Sequence, residues 1–403
     1  VCRRPVTWVG APFAVVITME QRSFLIVGAG LYGAVCARVL TDAGHRCLVI
    51  DKRPHIAGNC FSQHEPDAGC HRHVYGPHIF HTDSERVWAF VTRFARFNHF
   101  VNRPRVRAGG RLYSFPINLL TLYQLFGVTT PAEAEAHLAT VRIPCDDPGN
   151  FEQWCLSQVG REIYDTFIRG YTKKQWGRDP RELPASIIKR VPVRLSFDDN
   201  YYPDPWQGIP VDGYTALFTR LLADVEVRTS VDFLEVRGQW MNRFDHVVYT
   251  GAIDEFFDYA DGVLEYRSLR FENEWIERRD FQGTACVNYT DEDVPYTRIV
   301  EHKHFDLDLS QPRTIVTREF SESWTPGRER FYPIGTSSNH GVHARYQERA
   351  AELRGRVTFG GRLGSYRYYD MDDAIAAALD TAAELVTLGF TARTPQPPLP
   401  FAA

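Results

Sequence analysis

Phe24-Leu-Ile-Val-Gly-Ala-Gly-Leu-Tyr-Gly33 is the stretch whose reading decides the fold. It predicts a short apolar strand, a Gly-x-Gly-x-x-Gly turn and the start of a helix. Gly28 permits the tight turn, Gly30 lets a pyrophosphate approach the backbone, and Gly33 lets the helix lie against the strand. The unpaired N–H groups at the helix start, with the positive end of its dipole, suit an anion. A second strand, Arg46-Cys-Leu-Val-Ile50, delivers Asp51 where an acid can hold a ribose hydroxyl. Strand, turn, helix, strand and acid in that order read as a dinucleotide-binding unit. The glycines alone would fit a packing cluster equally well.

The remaining composition narrows the class. At 403 residues the chain has room for more than one domain. With 44% apolar and 24% charged residues it has the make-up of a globular protein. A net charge of -4 gives no basic footprint, so nucleic acid is not an expected partner. No apolar run is long enough to span a bilayer, so no membrane is expected. The 19 Tyr and 8 Trp supply apolar area with polar tips, which suits ring-shaped ligands as well as cores. Eight scattered cysteines with no C-x-x-C pair read as reduced thiols of a cytoplasmic protein. Cys60 with Cys70-His71-Arg72-His73 matches no common zinc spacing, so no metal is expected. Residues 1–20, with a basic start and a short apolar run, imitate a leader but lack a cleavage pattern, and are read as a disordered or misannotated extension.

Beyond Asp51, the Gly58-Asn59 turn lets backbone come close to a bound cofactor. His78 and His81, three apart in an aromatic, Gly-Pro setting, are candidates to line a site. From Asp83 the pattern turns helical, with a capping box at Thr130-Pro-Ala-Glu133 and a further helix from Phe151 to about Arg169. Gly170-Tyr-Thr-Lys-Lys-Gln-Trp-Gly177 reads as an aromatic, polar loop. Arginines and tyrosines then concentrate through Lys189-Arg190, Arg194 and Tyr201-Tyr202, a set that suits either a phosphorylated ring-bearing ligand or a salt-bridged surface. Gly213–Leu222 predicts a helix, and Val225–Arg228 and Asp245–Gly251 predict strands. Alternation from about Glu265 to Thr317 predicts an antiparallel sheet. Val357-Thr-Phe-Gly-Gly-Arg362 and a following Ala-rich helix, Asp373 to about Leu388, form a second anion-friendly turn.

Several separated stretches together resemble the bacterial UDP-galactopyranose mutases, a family of flavin-dependent isomerases, from about Phe24 to Leu388. They are Gly28–Gly33, Arg53-Pro-His-Ile-Ala-Gly-Asn59, Tyr75–Thr82, Gly170–Gly177, Pro192-Val-Arg194, Val294–Arg298, Glu301–His304 and Phe359–Leu363 with Tyr368–Met371. The resemblance implies an α/β fold: a discontinuous Rossmann-like FAD-binding domain (21–82, 210–254 and 340–394), an inserted helical domain (83–172) and a mainly antiparallel sheet domain (173–209 and 255–339). Residues 395–403 would form a disordered tail. It implies interconversion of UDP-galactopyranose and UDP-galactofuranose through a covalent adduct between reduced flavin N5 and the anomeric carbon, feeding galactofuranose-containing glycans, by a homodimer.

Carried over position by position, the resemblance gives Arg190 and Arg298 to the phosphates of UDP. Tyr201, Tyr332 and Tyr368 would add hydroxyl contacts. Tyr171 would stack on uracil beside Phe167 and Thr172, and Trp176 would shape the sugar site. His78 would lie beside the flavin ring and Asp370 between flavin and phosphate-binding tyrosines, so Arg190, Arg298, His78 and Asp370 are the implied catalytic set. For FAD, Gly28, Gly30, Gly33 and Asp51 would hold the ADP half. Asn59, His78, Arg362, Asp370 and Met371 would surround the pyrophosphate and ring. Ala57 departs from the family pattern where a glycine is usual, and Ala252 where a proline is usual. A flavin oxidoreductase acting on amines or unsaturated substrates would share this cofactor domain without needing the Arg and Tyr cluster. A non-catalytic nucleotide-sugar or protein-binding module would not need FAD contacts at both ends of the chain.

Overall fold

A computed structural model describes residues 21–185 and 193–387. Its centre is the expected βαβ unit. Strand Ser23–Val27 pairs in parallel with Arg46–Ile50, in register from Ser23 opposite Arg46 to Val27 opposite Ile50. His246–Tyr249 and Val357–Phe359 extend the sheet on one side and Glu226–Arg228 on the other, all five strands parallel. Because side chains alternate along a strand, Phe24 and Ile26 pack under helices Leu31–Asp42 and Met371–Thr387, while Leu25 and Val27 join Phe233 and Phe256 on the other face. Covered on both faces, the central strands are short apolar runs, as parallel sheets require, while Glu226–Arg228 at the edge keeps charged, exposed residues. Sequence-distant strands thus bring residues 24–51 and 357–371 to one end of one sheet.

A second sheet has seven strands. Its spine is the antiparallel pair Tyr266–Ile276 and Thr314–Ser323, extended by Arg298–Glu301 and Cys286–Tyr289. The alternation that predicted Arg313–Thr317 runs on to Ser323. Two strands that the helical reading of 83–172 did not include, Arg105–Ala108 and Arg111–Ser114, continue the sheet, the first pairing in parallel with Cys286–Tyr289, and Tyr332–Pro333 closes the other edge against Tyr266–Ile276. Around them, helices Leu119–Phe126, Pro131–Val141 and Phe151–Ile163 bury Leu122, Leu138, Phe151 and Ile163 in a core of their own. The capping box forms as predicted: the Glu133 amide donates to Thr130 Oγ1 at 3.2 Å and the Thr130 amide to Glu133 Oε2 at 3.3 Å.

One local prediction is corrected. Gly170–Trp176 is a helix, continuing a π-helical turn at Tyr164–Arg169, where a loop was expected. Gly170 reads as a breaker, yet it is helical here because a Cβ would lie 2.1 Å from the Thr290 carbonyl: glycine is present for close approach. The stop comes at Gly177, which caps the helix at φ +65°. Among the described residues no helix is long and apolar enough to cross a membrane.

Candidate cofactor and substrate site

Two clefts open between the sheets. The first, about 250 Å³, lies at the carboxyl end of the parallel strands. Gly28, Gly30, Gly33, Asp51, Asn59, His78, Arg362, Asp370 and Met371 all line it, so every position assigned to the cofactor converges there. The wall is a backbone cradle. Gly28 sits at φ +106°, where a Cβ would fall 2.0 Å from Thr250 Oγ1, and at Gly33 it would fall 2.0 Å from the Gly28 carbonyl. Gly30 faces Gly58 of the next loop, whose Cβ would reach to 2.9 Å of the Gly30 Cα. Such space suits a pyrophosphate against the uncapped start of helix Leu31–Asp42, so these residues fit a dinucleotide.

Asp51 is already engaged. Its carboxylate accepts from the Ala29 amide at 2.7 Å and the Arg53 amide at 2.8 Å, tying the glycine turn to the second strand. A carboxylate has further lone pairs, so it can still accept from a ribose. Ala57 has φ +76° and is fully buried, its amide donating to the Ala29 carbonyl at 2.9 Å. The glycine usual in the family at this position is therefore explained by conformation, and the alanine carries strain.

His78 is fixed by its surroundings. Its Nδ1 lies 2.9 Å from the Gly76 carbonyl, which can only accept, so Nδ1 carries the proton and Nε2 is left as an acceptor. Burial lowers its pKa to about 4, against the hydrogen bond to Gly76, which raises it. Its backbone N–H donates to His73 Nδ1 at 3.1 Å, and the His73 N–H to His302 Nδ1 at 3.2 Å. His302 Nε2 then donates to Thr317 Oγ1 at 2.7 Å. Burial holds His73 well below the usual imidazole value and His302 at about 3, so this chain of rings is neutral.

The second cleft, about 650 Å³, is large enough for a nucleotide sugar. Phe167, Tyr171, Thr172 and Tyr201 line it, and so does Asp370, the assigned residue common to both clefts. Phe167 projects from the π-helical turn and Tyr171 and Thr172 from the helix after it. Arg298 does not line the cleft but supports it, donating from Nη2 to Tyr171 Oη at 3.1 Å. Its Nε lies 3.1 Å from Glu319, which is almost wholly buried. Burial opposes the charge on Arg298, and Glu319, together with Tyr171, Tyr332 and Cys286, more than restores it. Burial raises the Tyr171 phenol to about 12, with Arg298 pulling the other way. Tyr332 and Tyr368 stack at 5.5 Å, with the Arg362 guanidinium 5.4 Å from each ring. Arg362 itself donates to the Phe331 and Tyr369 carbonyls. Trp176 is buried in the apolar core of the helical segment and does not line the cleft. Arg190 lies outside the described residues.

Tyr202, which stacks on His81 at 3.6 Å, and Arg194, which lines the second cleft paired with Asp198, belong to the arginine and tyrosine set singled out in the sequence, but neither had been given a role of its own. The signal was present: Tyr201 and Tyr202 are adjacent in irregular chain, and their rings stand at 82° to each other, so both can serve one cleft.

Comparison with known proteins adds to this geometry. The family described as "UDP-galactopyranose mutase" matches residues 166–368, and the "NAD(P)-binding Rossmann-like domain" matches 26–94. A "dTDP-fucopyranose mutase" of Escherichia coli is 42% identical over 369 residues, covering 89% of this chain and 97% of its own. A "Probable UDP-galactopyranose mutase" of Klebsiella pneumoniae is 40% identical over 373 residues, covering 92% and 96%. A solved structure of "reduced UDP-Galactopyranose mutase" superposes with TM-score 0.71 at 14% identity, covering 91% of this chain and 94% of that one. At that identity it supports the fold alone.

Proposed function

The chain belongs to the UDP-galactopyranose mutase family of isomerases, and on that premise we propose that it interconverts UDP-galactopyranose and UDP-galactofuranose with FAD in the first cleft, active when the flavin is reduced. The observation that carries the proposal is the shared wall: Asp370 lines both clefts, so a ligand in the second can present its reacting carbon to a ring in the first. The bound, reduced flavin supplies a nucleophile for the anomeric carbon.

The chain's own residues do the rest. Phe167, Tyr171 and Thr172 hold the base and exclude water from it. Arg298, with its charge favoured by Glu319, donates to Tyr171 at the wall of the second cleft and from there sets positive potential toward the departing diphosphate, whose growing charge needs it. Arg190 is assigned the same task, and Tyr201, Tyr332 and Tyr368 offer hydroxyls. His78, neutral with Nε2 free to accept, holds a donor of the flavin ring without adding charge. Trp176 acts from behind the cleft wall. The division into FAD-binding, helical and sheet domains, and assembly as a homodimer, form part of the same reading.

A second reading concerns the substrate, because the relative that is 42% identical is described as acting on dTDP-fucopyranose. Thymine adds a methyl group to uracil, and the Phe115, Ile117, Phe151 and Trp154 side of the second cleft is apolar enough to accept it. The test is kcat/KM of the dithionite-reduced protein for UDP-galactofuranose and for dTDP-fucofuranose. The proposal expects the uridine substrate to be preferred. Preference for the thymidine substrate moves the chain to the second reading, and turnover of neither contradicts both.

A further inference from the structure

The hairpin that leads into Arg298 gathers its turn around one side chain. Between strands Cys286–Tyr289 and Arg298–Glu301 the backbone turns four carbonyls toward one point. The oxygens of Tyr289, Asp291, Val294 and Tyr296 lie 2.8, 2.8, 3.0 and 3.1 Å from Lys174 Nζ. Carbonyl dipoles aimed at a common centre repel unless a cation stands there, and an ammonium with three protons must share them among four acceptors. The loop therefore has the character of a small-cation cage, with Lys174 as its cation.

Lys174 comes from the helix that carries the base-binding side chains. It follows Tyr171 by three positions, so both project from one face. That face meets the hairpin at two places: Lys174 in the carbonyl cage, and Tyr171 Oη accepting from Arg298. Thr290 Oγ1, donating to the Thr166 carbonyl at 2.7 Å, adds a third contact at the preceding turn. Lys173, next in sequence, does something different. It pairs with Glu292 on the surface at 2.8 Å, where an ion pair contributes little.

We propose that Lys174 is a positioning residue for the nucleotide end of the site: its ammonium gathers the hairpin carbonyls and so holds Arg298 against Tyr171. The inference rests on reading the second cleft as the nucleotide site. Burial lowers the Lys174 pKa to about 8, opposed by Asp291, Asp293 and Glu292, so the ammonium is retained at neutral pH at a desolvation cost that the carbonyls offset.

The test uses the full-length, flavin-loaded protein with UDP as the binding probe. Lys174→Met keeps the aliphatic stem and removes the charge. It should weaken UDP binding and raise KM by about tenfold or more, as for loss of charged hydrogen bonds. kcat should fall as well, by less than for Arg298→Ala, and flavin stoichiometry should be unchanged. Lys174→Ala should regain most of its UDP affinity when propylammonium chloride is added, a response that a packing defect would not give. Lys173→Met should bind UDP within about twofold of wild type. Lys174→Met binding UDP like wild type overturns the proposal. So does its joint loss of flavin and cooperative unfolding, which would make Lys174 a folding residue, and so does an alanine variant that ignores propylammonium. A wild type that binds no UDP fails the nucleotide reading itself, before any variant is compared.

Discussion

The first cleft is walled by backbone and glycine, the second by side chains. Removing atoms made room in the first: at Gly28 and Gly33 any Cβ collides with a neighbour at 2.0 Å. Adding groups made the second, where Arg298, Tyr171 and Glu319 come from segments far apart in sequence and meet only through the sheet. The difference sets what each can tolerate. A backbone cradle fails by crowding and loses its cofactor. A side-chain cluster fails by leaving a partner unpaired, and can lose its ligand while the cofactor stays.

The largest expected effect breaks the second region alone. Arg298→Ala leaves the Glu319 carboxylate buried without its cation, which typically costs about 3–5 kcal/mol. Turnover should fall by about a hundredfold or more, as when directed donors to a leaving group are removed. Bound flavin absorbance should be unchanged in protein that still unfolds cooperatively in urea. Flavin loss there would mean that the two regions are not independent.

Next comes the converse. Gly33→Val drives a side chain into the Gly28 carbonyl, and overpacking of this kind costs about 1–3 kcal/mol. The purified variant should carry little flavin, with affinity for added flavin down by about ten- to a hundredfold on the same scale. Retention of wild-type flavin would show that the turn is a packing cluster.

Acid should distinguish the regions by titration. The histidines that line and underlie the first cleft are held down, His78 to about 4 and His302 to about 3, while unfolded imidazole titrates near 6.5. Between these values the unfolded chain binds more protons, so stability is full above about 6.5 and falls as pH drops toward 4. Each such ring contributes a slope approaching about 1.4 kcal/mol per pH unit. Urea unfolding from pH 7 to pH 4.5 measures it, and a flat profile would contradict the neutral histidine chain.

The smallest effect is a repair. Ala57→Gly relieves a left-handed alanine and should raise stability by up to about 1 kcal/mol, read as the urea midpoint. A loss of stability would show that the buried methyl group matters more than its strained backbone.

The same contrast explains what could be read in the sequence. Phe24–Gly33, Ile50-Asp51 and Gly360-Gly361-Arg362 act through local conformation, so residue type and spacing reveal them. The central parallel strands were legible for the same reason, since burial on both faces leaves apolar runs, whereas Glu226–Arg228 at the edge keeps charged residues. Arg298 carries no local mark: its role depends on Glu319 across the sheet and Tyr171 on another element. Only the resemblance to a family assigned it. Gly170 was misread because a glycine kept for close approach to Thr290 looks in sequence like one that ends a helix. Arg194 and Tyr202 were visible as residue types, but their direction is a property of the folded chain.

The central claim is that these two regions meet so that a reduced flavin in one acts on a nucleotide sugar in the other. Its most direct test is incubation of the oxidised and the dithionite-reduced protein with UDP-galactofuranose, followed by chromatographic separation of the products. UDP-galactopyranose should form with the reduced protein and not with the oxidised one. Equal turnover in both states, or none in either, would contradict the account.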